Sequence, residues 1–151
     1  MEEVIKKSYQ KILLVSVALI YGCVMTGGMF FFLIQRNYSS PASGVDVLRQ
    51  AAWVIGVLSL GLSFVLKQKI LAAQPQGSVD PEQKYQQRAA RLTTATIIAF
   101  ALCEGALLFG FMVAFLSKSL PDMYFPCFIG AAGFAAHFPR YAQWKQYIEQ
   151  H

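Results

Sequence analysis

LTTATIIAFALCEGALLFGFMVAFLS occupies residues 92–117, and its one charged residue, Glu104, lies near the midpoint. A bilayer-spanning helix needs roughly 20 apolar residues. The stretch is long enough to cross a membrane, and reading it that way decides the fold. For the two shorter apolar runs, residues 50–66 and 123–138, short core helices of a soluble protein are the competing reading, and the even count of runs and the loop charges argue against it. Residues 12–34 carry no charge, nor do residues 50–66 between Arg49 and Lys67. A fourth run, 123–138, contains only His137 and begins beside Pro121 and Pro126. The 151-residue chain is 56% hydrophobic and only 14% charged. Soluble domains carry about 25% charged residues.

The expected fold is therefore all-α: an integral membrane four-helix antiparallel bundle in one domain, with spans at about 12–34, 50–66, 92–117 and 121–139. The first run follows Lys6, Lys7 and Lys11, as a signal peptide would. It exceeds an h-region of about 7–15 residues, so it reads as a membrane anchor. Of the 13 Lys and Arg residues, ten lie in the N-terminal segment, the 67–91 loop and the tail, and three (Arg36, Arg49, Lys118) in the other two loops. The positive-inside rule then makes both termini and the 67–91 loop cytoplasmic, in a cell inner membrane. The net charge of +5 is spread among loops that flank apolar runs. Nucleic-acid binding needs those charges clustered on one solvated face, so no nucleic-acid partner is expected. The expected partners are the lipid bilayer and other membrane subunits or further copies of the chain.

Within the middle loop, Asp80-Pro81-Glu82-Gln83 reads as a helix start. Asp80 suits the N-cap, Pro81 the first helical position, and Gln83 can reach back as in a capping box. The third helix should begin near Pro81 and run to about Ser117. After the fourth span, Tyr141, Trp144 and Ile148 share one side of a short helix, and residues 140–151 are expected to lie in the membrane interface. Asp122 is expected to cap the fourth helix. His137 reads as an interfacial or capping residue near the cytoplasmic end. Two segments, ALIYGCVMTGGMFFFL from Ala18 and ALCEGALLFGFMVAFL from Ala101, align without gaps, which raises a two-hairpin internal repeat with Tyr21 in the place of Glu104.

Glu104 is the one lead to chemistry. A carboxylate at mid-membrane facing lipid costs about 3 kcal/mol on insertion scales. It is therefore protonated, hydrogen-bonded within the bundle, or facing a wet path. Tyr21, Thr26, Ser59 and Ser63 are the hydroxyls at comparable depth and the candidate partners. Ala95, Ala99, Cys103, Ala106, Gly110 and Ala114 recur at spacings of three and four, a seam of small residues that lets membrane helices approach closely. Glu104 lies about 100° round from Cys103 and outside that seam. Cys23, Cys103 and Cys127 all fall in apolar runs and read as small packing residues. No CxxC, phosphate loop, Ser/His/Asp set or Cys/His metal spacing is present, so no metal, cofactor or catalytic group is expected, and the chain does not read as an enzyme.

The stretch ALCEGALLFGFMVAF, residues 101–115, resembles the carboxylate-bearing helix of the rotary ATP synthase c subunit. The residues concerned are Ala101, Leu102, Glu104, Phe109-Gly110, Val113 and Ala114. The resemblance implies that Glu104 takes up and releases a proton. The overall pattern also resembles uncharacterised small four-span bacterial membrane proteins with an FPR…QW tail, here Phe138-Pro139-Arg140 and Gln143-Trp144; that likeness implies no activity. Two functional expectations stand: a non-enzymatic accessory or scaffold subunit of a membrane complex, or a proton- or cation-handling protein that uses Glu104.

Overall fold

The computed structural model describes residues 2–36, 44–73 and 80–149. Those residues form five helices: α1 (Glu2–Arg36), α2 (Val45–Ala72), α3 (Pro81–Ser117), α4 (Pro121–His137) and α5 (Tyr141–Glu149). Three of them, α1, α2 and α3, are long and apolar enough to cross a membrane. Each extends beyond its apolar run. Glu2 and Glu3 open α1 and Arg36 closes it, charges that suit the dipole at each end. α3 starts on Asp80-Pro81, although Asp80 makes no side-chain cap hydrogen bond. It stops at Ser117 because Lys118 turns left-handed, φ 55°, and its N–H returns to the Ala114 carbonyl. Pro121 then opens α4. α4 has 17 residues, roughly 25 Å of helix at 1.5 Å per residue.

Packing contacts give the helix directions. Gly110 meets Pro126, Leu107 meets Gly130 and Cys103 meets Gly133, so α3 and α4 run antiparallel. Gly56 meets Ile129, Leu60 meets Gly133 and Ser63 meets His137, so α2 and α4 run parallel. α1 lies parallel to α3, from Cys23 beside Glu104 to Phe30 beside Phe111 and Phe115. The N-terminus, the start of α3 and α5 therefore gather at one end. Ile5, Ile12, Ala89, Leu92, Trp144 and Ile148 form a core there.

α3 is the central helix and packs against all four others. The small-residue seam explains why: Ala95, Ala99, Cys103, Ala106, Gly110 and Ala114 are all buried. α1 rests on α3 and α5, whereas α2 rests on α3 and α4. The two segments of the expected repeat thus pack differently, α1 at the edge and α3 at the centre.

The outer faces of α1, α2 and α4 are apolar and uncovered. Leu14 is 72% exposed and Phe128 74%, and Val24, Val57 and Leu58 are similarly bare. A soluble monomer rarely shows a contiguous apolar patch beyond a few hundred Å². A belt of this kind around long apolar helices is what lipid-facing surfaces look like. α5 turns its apolar side toward the end of the bundle. Trp144 and Ile148 point into the end core, and Tyr9 packs edge-on to Tyr141 and Trp144, centroids 5.3 and 6.2 Å away. The side with Trp144 and Ile148 is covered by protein.

Candidate functional site

Glu104 sits half-buried at the middle of α3, on the side that faces α1. The polar group within hydrogen-bonding reach of its carboxyl is the Cys23 thiol. The four hydroxyls named from sequence depth are dispersed. Tyr21 is exposed on the outer face of α1. Thr26 and Ser59 are half-buried on α1 and α2. Ser63 is sealed against the seam side of α3, where it reaches Cys103. A thiol is a weak donor, so Glu104 has a modest polar neighbour and, among the described residues, no carboxylate beside it that could share a proton.

Ser63 belongs to a second polar group that the sequence did not expose. Its hydroxyl donates to the Leu60 carbonyl at 2.6 Å, and its oxygen lies 2.8 Å from His137 Nε2. With the Ser63 proton committed to Leu60, the imidazole donates through Nε2–H. His137 is 1% exposed and its ring lies 4.5 Å from that of Phe64. His137 is the last residue of α4, near the end of the span as expected; its buried ring donor needs an acceptor, and Ser63 supplies it. A serine–histidine contact can begin a nucleophilic site. Here both residues are sealed and the serine proton points at backbone, so the pair ties α2 to α4.

Asp122 is also placed differently from expectation. Leu120 is the N-cap of α4 and makes no side-chain cap bond. Asp122 is only 8% exposed, and its Oδ1 lies 2.7 Å from Arg49 Nε. Arg49 also pairs with Asp46 at 2.8 Å, one turn earlier on α2. The three residues clamp the start of α2 to the start of α4 at the end remote from α5.

Between α1 and α4 runs an apolar groove of about 450 Å³. Leu107 and Phe111 of α3 form its floor, Val24 and Gly28 one wall, and Cys127 and Ala131 the other. A side chain added at Gly28 meets nothing within 4 Å. Among the described residues no cluster of three or more His, Cys, Asp or Glu side chains could hold a metal ion. In comparisons with protein families, curated proteins and solved structures, nothing matches the chain.

Proposed function

We propose that this is a four-span α-helical protein of a bacterial-type inner membrane, with both termini cytoplasmic, acting as a non-enzymatic accessory or scaffold subunit. The observation that carries the reading is the groove between α1 and α4. It is apolar, flanked by uncovered helix faces, and lined by Gly27, Gly28, Cys127 and Ala131. Small residues of this kind are what membrane helices use to pack closely. The occupant it fits is one apolar transmembrane helix of another subunit. The sidedness rests on the ten Lys and Arg residues in the N-terminal segment, the 67–91 loop and the tail. α4 is shorter than a hydrocarbon core of about 30 Å, and local thinning or snorkelling of flanking residues accommodates such a helix.

A photo-crosslinking residue at Val24 or Ala131, in native membranes, is expected to trap another membrane protein. The same probe at Leu58, on the bare face of α2, is expected to trap lipid alone. Lipid adducts at all three positions would overturn the reading. Native mass spectrometry after gentle extraction should find one or two copies bound to larger subunits. A ring of many identical copies would favour the c-subunit-like alternative.

That alternative draws on Glu104, a mid-helix carboxyl that is half-buried and has only a thiol close by. Under the accessory reading, proteoliposomes containing the protein leak protons no faster than empty ones. Glu104→Gln then changes stability by no more than about 1 kcal/mol, because the neutral amide keeps the size of the side chain and an oxygen that can accept from the neighbouring Cys23 thiol. A proton or cation flux that Glu104→Gln abolishes would transfer the function to Glu104.

A further inference from the structure

Beneath α5 lies a cavity of about 210 Å³, walled by the ends of α2, α3 and α4 and by α5 itself. We propose that it binds a phosphate-bearing anion, supplied either by the headgroup of an anionic phospholipid or by a soluble phosphate. The inference is separate from the groove and requires only that α1, α2 and α3 lie in a membrane.

Charge is the first argument. Lys67 and Arg140 both line the cavity, and among the described residues no carboxylate does. Neither cation has an ion-pair partner among the described residues. Lys67 is half-buried, and a cation drawn partly out of water without a counter-ion is costly. An anion in the cavity would offset that cost for Lys67, and the exposed Arg140 at the rim could reach the same anion.

Unmet donors are the second argument. Trp144 is 3% exposed and walls the cavity, and its Nε1–H has no acceptor among the described residues. An indole can only donate. Gln143 adds an amide to the same wall. The other hydroxyls are committed: Tyr147 donates to the Leu71 carbonyl at 3.0 Å and Thr96 to the Leu92 carbonyl at 2.8 Å. Burial pushes the Tyr147 phenol up from its ordinary value, which keeps it a neutral donor. The lining is thus rich in donors and positive charge, which selects for an acceptor-rich anion.

Position is the third. The cavity lies at the end of the bundle where the start of α1, the end of α2, the start of α3 and α5 meet, and the N-terminal segment, the 67–91 loop and the tail carry most of the Lys and Arg. That is the level at which phospholipid headgroups sit beside juxtamembrane cations. The cavity, about 210 Å³, is many times the roughly 10–15 Å³ that one water needs by the same measure, ample for a phosphate group.

The test uses the full chain in detergent and in nanodiscs of phosphatidylcholine with or without phosphatidylglycerol. Native mass spectrometry should find phosphatidylglycerol retained, and retention should fall about tenfold in Lys67→Gln/Arg140→Gln. Arg36→Gln, at the other end of α1, should leave retention unchanged. The conservative Lys67→Arg variant should retain the lipid. The double variant's helix content in phosphatidylcholine alone should match the parent, which separates lost binding from lost folding. Retention reversed by millimolar inorganic phosphate would assign the soluble source. Retention that phosphate does not reverse would assign the lipid. Equal retention of both lipids, unchanged by the double variant and by phosphate, would overturn the proposal.

Discussion

Gly110→Leu is expected to disrupt the packing of α3 on α4 and to give a protein that extracts poorly and aggregates on mild heating. A Cβ at Gly110 would overlap Cβ and Cγ of Pro126. The obstacle is a ring fixed to its own backbone, so it cannot swing aside as a long side chain would. Pro126 lies inside α4, where the missing N–H already weakens the helix ladder, so a shift of that turn has little reserve. Gly110→Ala alone should cost about 1–3 kcal/mol, the usual range for an overfilled core, and leucine should exceed it. Gly105→Ala is the control five residues away. It is exposed on the same helix and its Cβ would meet nothing within 4 Å. Alanine there should be neutral or stabilising by up to about 1 kcal/mol, since glycine is the poorer helix former. Thermal unfolding in a fixed detergent distinguishes the two. Equal midpoints for Gly110→Ala and Gly105→Ala would mean that α4 does not lie against the seam.

The seam itself was legible because small residues at spacings of three and four mark a face, and all six are buried. The limits of α3 were legible too. Asp80-Pro81 announces a start, and the apolar run ends at Ser117, where the chain turns at Lys118. Hydropathy understated α1 and α2, which run Glu2–Arg36 and Val45–Ala72 against expected spans of 12–34 and 50–66. An apolar run measures the lipid-matched part of a helix, whereas charged turns continue the same hydrogen-bond ladder into water. The polar contacts were not legible. Ser63 and His137 are 74 positions apart, and nothing periodic links them. Glu104 meets Cys23, a residue read only as packing, since a thiol gives no hydrophilic signal in an apolar run. α5 displays the pattern of an interfacial helix, and periodicity alone does not say whether lipid or protein covers the apolar side.

Breaking the pair between Arg49 and Asp122 should cost more than any other polar substitution, and removing both partners should cost much less. Asp122 is 8% exposed, and among the described residues its Oδ2 has no hydrogen-bond partner of its own, so its compensation comes from Arg49 at 2.7 Å. Arg49→Met leaves a carboxylate buried at the start of α4 with no cation to face. The same change also takes the partner from Asp46, the other carboxylate that Arg49 holds. Loss of one partner of a buried pair is among the severe single changes, and here the unfolding midpoint should fall on the order of 10 °C. Arg49 is itself partly exposed, so Asp122→Asn should be the milder single variant: the guanidinium keeps water and Asp46. Arg49→Met/Asp122→Leu removes both charges from a junction already lined by Ala52, Trp53 and Val113, and should recover most of the loss. Because the pair joins α2 to α4, the deficit should appear first as separation of those helices. A cysteine pair at Gly56 and Ile129, in contact in the native packing, should cross-link more slowly in Arg49→Met than in the double variant. Equal and additive losses across the three variants would instead mean that Arg49 and Asp122 act independently, and that the clamp contributes nothing to holding α4 in place.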